Sequence, residues 1–115
     1  MDGEARFSYD SLSDSLIISV KSVEEKVKRN FMFDDFVISL NGRGKVVALE
    51  VREVSAYLKQ VGVDPVALKT MKGAQLTVRV KRDFIYIGFA IAYLLDNHLV
   101  ERALPVANIP CALAH

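Results

Sequence analysis

The chain has a single cysteine, Cys111, among its 115 residues, so no disulfide can close within it. That fits a reducing compartment, and a cytoplasmic location is the expectation. It also lacks a charge surplus. Fifteen Lys and Arg against 14 Asp and Glu leave a formal net charge of +1. Such a balance projects no long-range field toward nucleic acid or an anionic membrane. Long hydrophobic runs are missing too. The longest, Phe84–Leu95, reads F-I-Y-I-G-F-A-I-A-Y-L-L, well short of the roughly 20 residues of a membrane helix. The opening M-D-G-E-A-R-F is acidic and polar, without the basic-then-apolar order of a signal peptide. Linkers, repeats and low-complexity tracts do not occur.

What is present is apolar. Hydrophobic residues make up 51% of the chain and mean hydropathy is +0.22, which excludes a disordered tail. A chain of this length is expected to form one domain over residues 1–115 and to bury about two-thirds of its unfolded surface. The hydropathy is high for a small lone domain, so part of the apolar surface is expected to be covered by a partner.

Periodicity predicts an α+β fold, mainly antiparallel β, with hairpins, a meander and one or two short helices between two strand sets. Phe7 and Tyr9 mark a short strand, and the turn 10–14 is rich in Asp and Ser, which bond nearby backbone N–H groups. Strands are expected over 15–20, 27–33 and 36–40. Asn41-Gly42-Arg43-Gly44 offers positive-φ positions for a hairpin turn. Strand 45–54 follows, with Val47, Leu49 and Val51 on one face. Ser55 reads as the N-cap of a helix over 56–61 and Gly62 as its C′ residue. Asp64-Pro65 opens a second helix that Gly73 ends. Residues 76–80 alternate, Arg82-Asp83 turns the chain, and the apolar strand 84–93 follows. Asp96-Asn97-His98 turns it again into 99–106, where Pro105 and Pro110 are expected to end regular pairing.

Tyr9-Asp10, Asp14, Leu16-Ile17, Val37-Ile38, Gly44, Val46-Val47, Leu49-Glu50-Val51 and Ser55 together resemble the bacterial and archaeal family catalogued as domain of unknown function 2283. The resemblance covers roughly residues 6–55. It implies a compact β-rich unit with no established activity, in a family some of whose members look like partners of small toxin-like proteins, hence an antitoxin-like reading. Acidic residues usual around the family's hairpin turn are replaced here by Ser39, Asn41 and Arg43, which weakens any carboxylate or metal role there. Residues 56–115, read as short helices plus a three-strand meander, lie outside the family core.

The candidate ligand or partner residues are Tyr9, Asp10, Asp14 and Glu50. If the two hairpins lie side by side, three carboxylates with a hydroxyl from Tyr9 or Ser55 can hold a hard cation such as magnesium. Against this, Asp in a turn more often bonds its own backbone, and no metal site is expected. Zinc would need three or four Cys or His ligands, and only His98, His115 and Cys111 are available. Cys111, within P-C-A-L-A, reads as a small apolar side chain rather than a nucleophile. Gly42-Arg43-Gly44 is too short for a phosphate loop and opens no helix. Lys26, Lys28 and Arg29 interleave with Phe31 and Phe33, and Lys69, Lys72, Arg79, Lys81 and Arg82 form a second basic cluster. Both read as solvated faces, or alternatively as a nucleic-acid surface. A strand apolar on both faces must be covered on both, which makes Ile85, Ile87, Phe89 and Ile91 the expected self-association residues. The reading is a non-enzymatic, cytoplasmic homo-oligomer that binds another protein. Neither a cofactor nor a membrane is expected.

Overall fold

Alternating side chains dictate a sheet. The computed structural model describes residues 2–22 and 24–110, in eight strands. These are β1 Asp2–Asp10, β2 Ser15–Ser19, β3 Arg29–Phe33, β4 Phe36–Leu40, β5 Val46–Arg52, β6 Met71–Val80, β7 Phe84–Leu95 and β8 His98–Pro110. All pairings are antiparallel, in the order β3-β4-β5-β2-β1-β6-β7-β8. β1 joins the two halves. Its residues 6–10 pair with β2, while residues 2–5 pair with β6. One strand thus serves two partners along its length, and the sheet curls into two leaves about it.

The core lies between the leaves. Leu16, Ile18, Ile38, Leu49 and Val51 face it from one side; Leu76, Ile87, Phe89 and Ile91 face it from the other. Helix α1, Val54–Gln60, and a 3₁₀ turn over Pro65–Lys69 close one end with Val54, Leu58, Ala67 and Leu68. The Tyr57 ring stands edge-on to Phe36 at 5.3 Å and lies 6.1 Å from Phe89. Its hydroxyl donates to the Pro105 carbonyl, tying α1 to β8. Burial foremost, then the Tyr86 hydroxyl, raises its pKa.

The architecture is mostly β rather than α+β. Among the described residues, one seven-residue helix and one five-residue 3₁₀ turn are the helical content, and β6 begins at Met71 and absorbs Gly73, the residue expected to end the second helix. The register shifts between Met71 and Gly73, a bulge that leaves Lys72 without a direct cross-strand partner. Pro105 does not end pairing either. It sits inside β8 opposite Gly88, where the β7–β8 register shifts. β8 is an edge strand, and a proline there sacrifices no bond to a further neighbour.

Turn chemistry behaves as its residues demand. Asp96 and Asn97 both take positive φ, 50° and 66°, in a two-residue hairpin turn, so His98 already belongs to β8. Between β4 and β5 only Gly44 takes positive φ, at 79°; Asn41 organises that turn, its Oδ1 accepting from the Arg43 and Lys45 N–H groups. Gly62 takes the expected C′ position with φ 81°, and Asp64 caps the 3₁₀ turn by accepting from the Val66 N–H at 2.9 Å.

Ser55 is not the helix cap. Glu53 holds the N-cap position with φ 51° and makes no side-chain cap bond. A left-handed conformation costs a non-glycine residue roughly 1 kcal/mol. Glu53→Gly is therefore expected to raise stability by about 0.5 kcal/mol after glycine's own entropy is counted. Urea unfolding checks this, and a loss of stability would contradict the assignment.

Candidate functional site

Asp14 closes the β1–β2 turn with φ 53°. Its Oδ1 accepts from the Tyr9 hydroxyl at 2.9 Å and the Ser55 hydroxyl at 2.8 Å. Its Oδ2 accepts from the Ser55 N–H at 3.2 Å, and its carbonyl accepts from the Val54 N–H at 3.0 Å. Val54 and Ser55 are the first two residues of α1, whose opening N–H groups have no partner within the helix. Asp14 thus supplies, from 41 residues away, the cap that Glu53 does not.

The electrostatics follow the geometry. Partial burial pushes the Asp14 carboxyl up, but the bonds from the Ser55 hydroxyl, the Tyr9 hydroxyl and the Ser55 N–H outweigh it, leaving the pKa below the usual value. Tyr9 is raised, chiefly because its proton is held by Asp14. The three donors engage both carboxylate oxygens, so the arrangement acts as a staple between a turn and a helix.

Asp10 and Glu50 do not join it. Tyr9 pairs with Leu16 and shares its inward face, whereas Asp10 pairs with Ser15 and Glu50 with Ile17, which face outward. Asp10 and Glu50 instead line one outward groove with Asp35 and Arg52, and Asp14 stands apart from it. Asp10 Oδ1 accepts from the Leu12 N–H at 3.0 Å, a local turn bond. Glu50 pairs with Arg52 at 3.2 Å. Among the described residues, no group of three His, Cys, Asp or Glu is placed to hold a metal ion.

The basic clusters divide differently from their order in sequence. Lys28 lies beside Gly42 in the β4–β5 turn, and Lys81 and Arg82 occupy the β6–β7 turn at the same end of the molecule. Lys72 is nine residues up β6, about 30 Å away at strand spacing. Cys111 and His115 lie outside the described residues.

The apolar strand β7 has two unlike faces. Ile87, Phe89 and Ile91, expected at a subunit interface, are each 1% exposed and form the chain's own core; Ile85 is half-buried on that face. Ile87, Phe89 and Ile91 are thus core positions of the single chain, while Ile85 stays partly accessible. The opposite face carries Tyr86, Gly88, Ala90, Ala92 and Leu94, uncharged throughout and small between Tyr86 and Leu94. Gly88 is where the approach is closest. A Cβ there would stand 2.7 Å from the Tyr86 hydroxyl and 3.1 Å from the Leu104 carbonyl oxygen. Ala90 and Ala92 border a shallow groove of about 200 Å³ with Gly73, Gln75 and Glu101. The alternation of large and small residues in F-I-Y-I-G-F-A-I-A-Y is the signal that locates this face.

Fold and surfaces together define a mostly β protein on one curled antiparallel sheet, stapled at a helix start and uncharged along an outward strand face. Among the described residues, no helix is long and apolar enough to cross a membrane. Comparison with family models, curated proteins and solved structures gave no match to this chain.

Proposed function

We propose that the chain is a non-enzymatic, cytoplasmic interaction module that associates with a second copy of itself through the outer face of β6, β7 and β8. The observation that carries this reading is the outward face of β7. A water-facing antiparallel strand normally alternates apolar with polar residues, yet Tyr86, Gly88, Ala90, Ala92 and Leu94 include no charged side chain. Gly73 and Ala103 flank that strip through the paired strands. Small side chains let two sheets approach face to face, and an isologous two-fold contact is the commonest way for such a face to close on itself. Leu99, 60% exposed on the neighbouring strand, extends the apolar strip. The resemblance over residues 6–55 adds a protein partner, of the antitoxin-like kind, as an extension of the same reading.

Ala90→Arg tests the face without touching the core. The variant is expected to sediment as a folded monomer at concentrations where the wild type is dimeric, with circular dichroism unchanged. A variant that keeps the wild-type sedimentation coefficient would rule out this face.

A further inference from the structure

Of the asparagines Asn30, Asn41, Asn97 and Asn108, only Asn41 is followed by glycine. The backbone nitrogen after an asparagine can attack its side-chain amide carbon. A bulky following residue obstructs that approach, and glycine does not. We propose that Asn41 is a site of spontaneous deamidation, and that its conversion to aspartate or isoaspartate releases the segment carrying Glu25 from the β4–β5 turn. In the first step the Gly42 nitrogen bonds to Asn41 Cγ and the Cγ–Nδ2 bond breaks. The Gly42 amide proton leaves with Nδ2 as ammonia, and a cyclic imide remains. Water then opens the ring at either carbonyl. One opening gives aspartate; the other gives isoaspartate, with the main chain rerouted through the side-chain carbons.

Two observations support this. The attacking nitrogen is available: among the described residues the Gly42 N–H makes no hydrogen bond, and Gly42 lies exposed in the turn. The amide that would be lost also ties two parts of the chain together. Asn41 Nδ2 donates to Glu25 Oε2 at 2.8 Å, across 16 residues, and Glu25 Oε1 accepts from the Ser22 N–H at 2.9 Å. Asn41 Oδ1 accepts from the Arg43 and Lys45 N–H groups at 2.9 and 3.0 Å. Aspartate keeps that acceptor and with it the turn. Toward Glu25, however, it presents an oxygen where the donor was, carboxylate against carboxylate. Lys45, which acts on Glu25, and Lys28, packed beside Gly42, offset part of the repulsion. Local release rather than unfolding is therefore the consequence. Isoaspartate goes further. Its added main-chain carbon disturbs the two backbone bonds that close the turn, Gly44 N–H to the Asn41 carbonyl and Asn41 N–H to the Lys45 carbonyl, both 3.0 Å.

The experiment is incubation of the wild-type protein in mildly alkaline buffer at body temperature for several weeks, with peptide mapping by mass spectrometry at intervals. A growing fraction of the Asn41 peptide is expected to become heavier by about 1 Da, in aspartate and isoaspartate forms, with Asn30, Asn97 and Asn108 unchanged. Gly42→Ala should slow the conversion about tenfold or more. An alanine Cβ there meets Lys28 Cγ at 3.5 Å, an ordinary contact, and Gly42 does not take positive φ, so the fold should survive. Asn41→Asp, a homogeneous form of one product, should speed amide hydrogen exchange at Ser22 about tenfold and leave Leu49 and Ile87 unchanged. An Asn41 peptide that keeps its mass while the urea-unfolded chain converts would overturn the site. So would equal rates for the wild type and Gly42→Ala. Unchanged exchange at Ser22 in Asn41→Asp would overturn the release of the Glu25 segment.

Discussion

Replacing Asp14 by alanine is expected to cost about 3 kcal/mol and to lower the melting temperature by about 12 °C, the largest effect of any surface substitution in this chain. The loss has three parts. Loss of a helix cap alone costs about 1 kcal/mol. The Tyr9 and Ser55 hydroxyls lose a charged acceptor that both share, and bonds to charged groups exceed neutral ones. Alanine is also poorer than aspartate at φ 53°. Asp14→Asn keeps one carbonyl acceptor and tolerates that conformation, so its cost should be about half.

Acid should reproduce part of the effect. The folded pKa of Asp14 is lowered, so the unfolded chain binds the proton more readily and stability rises with pH between the two values. The stabilisation is complete above the ordinary carboxylate pKa of about 4 and is lost as pH falls through the lower folded value. Unfolding measured from pH 2 to pH 6 should therefore show a smaller acid dependence for Asp14→Asn than for the wild type. Equal slopes would mean that the carboxylate does not hold α1.

Ile87→Lys should abolish folding, at about 4 kcal/mol or more. Ile87 is 1% exposed between the leaves, and an ammonium placed there finds no buried carboxylate among the described residues. The neighbouring position behaves oppositely. Ala90 lies on the other face of the same strand, three residues on, so a basic residue there should leave the monomer intact. The pair distinguishes core from interface along one strand. A folded, soluble Ile87→Lys monomer with native near-ultraviolet dichroism would contradict the assignment of faces.

Much of the strand layout was legible because period two and turn chemistry are local. Phe36–Leu40 was read with its observed bounds, and Asp64-Pro65 and Gly62 sit where capping rules place them. The failures share one cause: partners distant in sequence. Ser55 looks like a cap from its own neighbourhood, yet it donates to Asp14 across 41 residues. Pro105 looks like a terminator until the bulge opposite Gly88 and its edge position absorb it. Gly73 punctuates a helix in sequence but lies in a strand, because β6 must start at once to meet Tyr93 and Ala92. β7 differs from these. Its large-small alternation is visible in the sequence, but a reading of the run as uniformly apolar does not separate Ile87, Phe89 and Ile91, which fill the core, from Gly88, Ala90 and Ala92 on the other face.

Solution mass by light scattering, across a dilution series from millimolar to low micromolar protein, tests the self-association reading most directly. The account predicts a particle of twice 12.8 kDa that dissociates only at the dilute end. A mass of 12.8 kDa throughout would contradict it and leave the uncharged face of β7 without a second copy to cover it.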